Sequence, residues 1–233
     1  RHQDLESLDT LLAQDASERR LVITDGLFSM DGTLAPVPAL LEVCRRHGAA
    51  LMVDDAHAIG TVGRTGRGSV EHFELMGDRP DVLIGTASKA LGAEGGVVAT
   101  SSEVATLLRQ QARPFVYSTS LAPATCAAIV AAIELLESAA SPVPALHANV
   151  DRLSSALGMN GWVSPILPIR VGSGAAAMER SSRLADRGFF VPAIRWPTVP
   201  RDRAMLRVTV MATHTFKQID SLASELDSGC SDC

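Results

Sequence analysis

The stretch Ala49-Ala50-Leu51-Met52-Val53-Asp54-Asp55-Ala56-His57 runs five apolar residues straight into two carboxylates and a histidine. An apolar run this short, with no polar alternation, is the pattern of a strand buried on both faces. The same pattern recurs on either side. Upstream, Leu21-Val22-Ile23-Thr24 ends in Asp25-Gly26. Downstream, Asp81 to Thr86 is followed by Lys89, and Gly95 to Thr100 forms a further run. Between the first two runs, Pro36 to Arg46 places leucines at helical spacing. Strands alternating with helices at this pitch predict β-α-β units and a mostly parallel sheet, an α/β fold. Polar groups follow directly at the strand ends: Asp25 and Ser29, Asp54 and His57, Thr86 and Lys89. Open α/β sheets bind ligands outside the carboxyl ends of their strands, so three consecutive units aim chemistry at one edge.

Farther out, Leu5 to Leu12 reads as a short amphipathic helix, Glu103 to Gln111 as a helix and Phe115 to Tyr117 as a strand. Pro123 to Glu137 reads as a long helix. Its Ala-rich run from Ala122 to Leu136, broken by Glu134, is expected to be buried. The composition shifts at Ser138 to Pro144, which is rich in Ala, Ser and Pro. Beyond it come a helix (Leu146 to Leu157), a strand (Ile166 to Val171), a helix (Met178 to Arg187), two strands (Phe190 to Ile194, Leu206 to Val210) and a helix (Thr215 to Leu226). The expectation is a large domain over 1–142, a small C-terminal α+β domain over 143–228, and a tail over 229–233.

The 233 residues are 46% hydrophobic, enough for a sizeable core. A net charge of −5 with no basic run leaves no electrostatic footprint for nucleic acid. No apolar stretch reaches the length of a membrane span, and the polar opening Arg1-His2-Gln3-Asp4 leads to the expectation of no signal peptide. Four cysteines in a chain this long do not make a disulfide framework. Cys44 and Cys126 stand in apolar helical contexts and are expected to be buried. Cys230 and Cys233 form a C-x-x-C that reads as tail or as a redox or metal pair. Together these features predict a reducing, cytoplasmic setting. The chain opens at Arg1 without a methionine, which predicts a piece of a longer protein.

The strongest chemical signal is a spaced pair. Val53-Asp54-Asp55-Ala56-His57 is followed by Thr86-Ala87-Ser88-Lys89-Ala90-Leu91-Gly92, with Lys89 standing 35 residues after Asp54. Pyridoxal phosphate (PLP) chemistry needs a lysine for the cofactor's aldehyde and a carboxylate for its pyridine nitrogen. Small neighbours around Lys89 let a flat ring approach the backbone. Taken singly, each part is ordinary. Many strands end in Asp-Asp, and a lysine in a loop is usually a solvated side chain.

Several ordered blocks raise the specificity. Asp25-Gly26-Leu27-Phe28-Ser29-Met30-Asp31-Gly32, Val53 to His57, and Gly60-Thr61-Val62-Gly63-Arg64-Thr65-Gly66-Arg67-Gly68 resemble three blocks of the α-oxoamine synthase family of PLP enzymes. So do Thr86 to Gly92, Tyr117-Ser118-Thr119-Ser120, Ala193-Ile194-Arg195-Trp196-Pro197-Thr198-Val199-Pro200 and Leu206-Arg207-Val208-Thr209. The resemblance covers about residues 1 to 226. It implies the PLP-dependent transferase fold of the aspartate aminotransferase type, with the mostly parallel sheet in the large domain.

It also implies roles. Lys89 would hold the cofactor and then act as base at the substrate's Cα. Asp54 would pair with the pyridinium nitrogen. His57 and Ser29 would contact the phenolic oxygen, and Thr86 the phosphate. Ser118 and Thr119 would reach the phosphate of a partner subunit in a homodimer. Arg207 would hold the amino-acid carboxylate, with Thr198 and Arg195 lining the acyl site. No metal is implied. The block at 193–200 most resembles family members that join L-alanine to pimeloyl-CoA or pimeloyl-ACP on the way to biotin. The same chemistry with glycine and acetyl-CoA is the alternative. A non-catalytic partner subunit, or a chain inactive without further residues, also stays open, although the retained Lys89, Asp54 and His57 argue against the former.

Overall fold

Strand formation in the amino-terminal half follows the apolar runs closely. A computed structural model describes residues 1–227, divided into two units. The first comprises Arg1–Phe28 and Leu34–Ser141; the second takes Ser29–Thr33 together with the chain from Pro142 onward. The expected Cys230 and Cys233 pair lies outside the described residues.

The first unit holds a four-stranded sheet of β1 (Leu21–Asp25), β2 (Ala50–Asp54), β3 (Val82–Thr86) and β4 (Gly96–Thr100), in that spatial order. The first two pairings are parallel and β4 runs antiparallel to β3, so the sheet is mostly parallel, as expected. Its helices are α1 (Leu5–Gln14), α2 (Val37–Arg46), the single turn α3 (Ser69–His72), α4 (Ser102–Gln111), the single turn α5 (Arg113–Val116) and α6 (Pro123–Glu137). Helix α1 is capped by Asp4, whose carboxylate accepts from the Ser7 amide at 2.9 Å. Helix α2 places Val37, Leu40, Leu41 and Cys44 on one stripe, which packs with Leu51 and Val53 of β2 into the unit's core.

Three expectations fail here. Phe115 to Tyr117 is not a strand: Val116 N–H donates to the Ala112 carbonyl at 2.9 Å and Tyr117 N–H to that of Arg113 at 3.0 Å. Strand propensity in Phe, Val and Tyr is realised only against a ladder partner. Pro114, at the start of the turn, instead suits the first helical positions. Helix α6 forms as expected but buries no residue, and Cys126 on it is exposed, not buried. Apolarity around a helix states what it would bury, not that a partner surface covers it. Cys44 is buried, and burial, with the nearby Asp81 charge, pushes its thiol pKa up.

The second unit holds a three-stranded antiparallel sheet in the order β5-β7-β6, from β5 (Ile166–Gly172), β6 (Ala193–Ile194) and β7 (Ala204–Thr209). Helices α7 (Val143–Ala156), α8 (Gly174–Asp186) and α9 (Phe216–Asp227) accompany it. The strand expected from Phe190 shrinks to Ala193–Ile194, with Phe190 91% exposed. Pro192 has no N–H for a ladder, although its carbonyl accepts from Arg207 N–H at 3.0 Å. Helix α8 begins earlier than expected, because the Ser173 hydroxyl caps it by accepting from the Ala176 amide at 3.2 Å. Leu146, Val150, Leu153, Leu167, Leu206 and Ile219 are among the residues forming the core. Buried Asn149 ties the end of β7 inward, donating to the carbonyls of Met211 and His214 at 2.9 and 2.8 Å.

Candidate active site

The parallel register of β1 and β2 sets Asp25 beside Asp54 at the carboxyl end of the sheet. The Gly26 amide donates to the Asp54 carbonyl at 2.8 Å, and the Ala56 amide to Asp54 Oδ1 at 2.9 Å. Among the described residues, the second carboxylate oxygen of Asp54 accepts from no donor. Burial pushes the Asp25 carboxyl above the ordinary aspartate range; the Asp54 charge adds to this, and the Lys89 ammonium opposes it. Lys89 and Asp54 thus act on one carboxyl, which places all three groups in a common field.

The lysine sits on a closed turn after β3. Ala87 N–H donates to Gly95 O at 2.9 Å, Ala93 N–H to Ala87 O at 2.8 Å, and Gly92 N–H to Lys89 O at 3.0 Å. The Thr86 hydroxyl donates to Gly95 O at 3.1 Å, accepts from Ser88 N–H at 3.2 Å and lies 2.8 Å from the Ser88 hydroxyl. Ser88, Lys89 and Ala90 are exposed at the tip. The glycine-rich loop comes close to this turn: a Cβ on Gly60 would lie 2.6 Å from Ala90 Cβ.

That loop is built around two carboxyl groups. Glu71 accepts from Thr65 N–H at 3.0 Å, from the Thr65 hydroxyl at 2.8 Å and from Arg67 N–H at 3.0 Å. Burial works against its charge, but these bonds outweigh burial and hold its pKa below the ordinary value. Asp55 is fully buried and its Oδ2 accepts from Ser69 N–H at 2.7 Å. The sequence places Asp25 at the same edge as Asp54 but assigns no chemical role to Asp25, Asp55 or Glu71. The available signal for Asp25 was its place at the end of an apolar run, matching that of Asp54.

The remaining expected site residues divide by unit. In the first, His57 is half-buried and its carbonyl accepts from the Thr61 hydroxyl at 2.8 Å. Ser118 and Thr119 are exposed in the bend after α5. In the second, Arg207 Nε donates to the Ser29 carbonyl at 2.7 Å and Nη1 to the Thr209 hydroxyl at 3.0 Å. Arg207 is half-buried on β7, forms no ion pair among the described residues, and burial lowers its pKa. It borders a cavity of about 550 Å³ lined also by Phe189, Val191, His214, Ile219 and Leu222. Arg195 and Thr198 are exposed in the turn after β6, where the Thr198 amide donates to the Arg195 carbonyl at 3.0 Å and the Trp196–Pro197 peptide is cis. Among the described residues no cluster could hold a metal ion, and no helix is long and apolar enough to cross a membrane.

The donor set in the first unit fits PLP. An amine stands exposed on a small-residue turn, a carboxylate ends the neighbouring parallel strand, and the charges of both bear on the Asp25 carboxyl.

A family model for aminotransferase class I and II matches residues 1–226. An 8-amino-7-oxononanoate synthase of Methylococcus capsulatus is 45% identical over 231 residues, covering 97% of this chain and 60% of that protein. The biotin biosynthesis bifunctional protein BioWF of Corynebacterium kroppenstedtii is 44% identical over 252 residues, covering 97% of this chain and 35% of that protein. The chain therefore spans less than two thirds of these relatives. Among solved structures, serine palmitoyltransferase (SPT) with its PLP internal aldimine matches with a TM-score of 0.90 at 30% identity, over 98% of this chain and 59% of that one.

Proposed function

Since the chain belongs to the aminotransferase class I and II family, we propose that it carries the PLP-binding core of an acyltransferase of biotin biosynthesis. The reaction is the decarboxylative condensation of L-alanine with pimeloyl-CoA or pimeloyl-ACP, giving 8-amino-7-oxononanoate, CO2 and the free thiol carrier. The observation that carries this reading is the carboxyl edge of the parallel sheet, where Asp54 ends β2 beside Asp25 of β1 and Lys89 stands exposed on the turn after β3. The 45% identity to a synthase of that name supports the choice of substrates.

Bound through Lys89, PLP supplies an electron sink that makes the Cα proton of an amino acid removable. The chain's own residues do the rest. Asp54 holds a proton at the pyridine nitrogen. Lys89 Nζ, once released, takes the Cα proton. His57 and Ser29 serve the phenolic oxygen and Thr86 the phosphate. Ser118 and Thr119 serve the partner's phosphate in a homodimer. Arg207 suits the amino-acid carboxylate, because a half-buried guanidinium with no carboxylate partner among the described residues gains most from acquiring one. Thr198 and Arg195 line the acyl site. The setting is a reducing cytoplasm.

The test uses the full-length protein with added PLP. A visible absorbance band that vanishes in Lys89→Ala, with turnover falling by roughly 10²–10⁴, is the expected result. A band that persists in Lys89→Ala overturns the lysine assignment. Alanine with pimeloyl-CoA is expected to outperform glycine with acetyl-CoA; the reverse preference replaces the biotin reading with the acetyltransferase one.

A further inference from the structure

The Asp54 carboxylate accepts from one amide among the described residues, that of Ala56. Its neighbour Asp55 has 0% exposure and a different environment. Asp55 Oδ2 accepts from the Ser69 amide at 2.7 Å, while Asp55 Oδ1 and the Ser69 hydroxyl are both buried without a hydrogen-bond partner among the described residues. These two atoms crowd the same place. A Cβ added to Gly26 would lie 1.8 Å from Asp55 Oδ1 and 3.0 Å from Ser69 Oγ. On the other side, a Cβ on Gly68 would lie 2.3 Å from Asp55 Oδ2, and Gly68 has φ of 84°. The backbone around Asp55 is equally committed: its N–H donates to Ile84 O on β3, and its carbonyl accepts from Ala58 and Ile59 N–H. One carboxyl thus joins the turn after β1, the end of β2 and the close of the glycine-rich loop. Two glycines are required for it to fit.

We infer that Asp55 is a positioning residue, whose buried carboxyl fixes the backbone at the end of β2 by hydrogen bonding and so sets the direction of the Asp54 carboxylate. The residue needs hydrogen-bonding shape, not charge. Asp25 and Asp54 already place two carboxyls at this edge, and a third charge at Asp55 would add repulsion with Asp54. Burial indeed pushes the Asp55 carboxyl above its ordinary range, with the bond from the Ser69 amide opposing. A carboxamide can accept from Ser69 N–H and donate to Ser69 Oγ, so asparagine should replace aspartate and alanine should not.

The inference rests on the PLP reading only for its functional consequence, and two readouts separate them. In full-length protein, Asp55→Ala and Asp55→Asn are compared with wild type for hydrogen exchange at the Ala56 amide, which bonds Asp54 Oδ1, and for PLP affinity. Asp55→Ala is expected to lose Ala56 protection and to bind PLP roughly tenfold more weakly, the scale of one lost buried hydrogen bond. Asp55→Asn is expected to restore both. Should Asp55→Ala fail to fold, Asp55→Asn still decides: wild-type protection and affinity support the inference, and loss of either overturns it. A folded Asp55→Ala with normal Ala56 protection also overturns it. If wild type shows no PLP band, the cofactor reading fails, and the Ala56 exchange alone decides the role of Asp55.

Discussion

Helices α7, α8 and α9 each bury apolar residues, whereas α4, α5 and α6 bury none. The two groups are built from similar material. Helix α6 is the more apolar sequence, yet Val130, Ile133 and Leu135 on it are exposed, while Leu153 on α7 is fully buried. What separates them is what lies opposite. Helices α7 to α9 share a core with β5 and β7, whose residues Leu167 and Leu206 are fully buried. The comparison teaches that an apolar helix in a sequence declares a demand for cover, and that the amount of surface gained depends on elements elsewhere in the chain.

The largest effect expected from this contrast is in the core. Leu153→Ala should cost about 2–5 kcal/mol in chemical denaturation, whereas Leu135→Ala, at 47% exposure, should stay within about 0.5 kcal/mol. A loss at Leu135 as large as that at Leu153 would break the comparison, by showing that another polypeptide surface covers α6 in the protein measured.

A smaller effect tests whether the strand-end region of the first unit is packed as tightly as the second unit's core. Gly26→Ala drives a methyl into Asp55 Oδ1 and should cost about 1–3 kcal/mol. Gly48 meets nothing within 4 Å, so Gly48→Ala should cost only the left-handed backbone strain at φ 62°, about 1 kcal/mol. Equal losses at the two sites would mean that the Asp55 knot yields readily.

The smallest effect is a pH dependence confined to the packed edge. Asp25 and Asp55 have carboxyl groups raised by burial, so each contributes stability that is complete below the unfolded-state pKa and is lost as pH rises through the folded value. Thermal melts should show wild type losing stability relative to Asp55→Asn as pH climbs above the ordinary aspartate range. A difference that stays flat with pH, or runs the other way, would remove burial as the cause of the raised carboxyl.

The strand ends that carry the candidate site were legible because their signals are local. The apolar runs before Asp25, Asp54 and Thr86 end where the strands end, and the small residues around Lys89 mark the turn that presents it. Arg207 was legible only through resemblance, since its bond to the Ser29 carbonyl joins residues 178 apart in the chain. Phe115 to Tyr117 was misread because strand propensity is realised only in a ladder, and residues 112–117 close helical bonds instead.

By itself, the sequence determined where this chain turns from apolar to polar, and with it the strand ends, the edge that gathers Asp25, Asp54, Thr86 and Lys89, and the turn that exposes the lysine. These depend on residues within a few positions of one another. The tertiary structure alone decided that Asp55 is sealed in while Asp54 is not, that Gly26 and Gly68 must lack a side chain, and that α6 lies open while α7 is covered. Burial and electrostatic environment are sums over distant neighbours, and no local stretch of chain contains them.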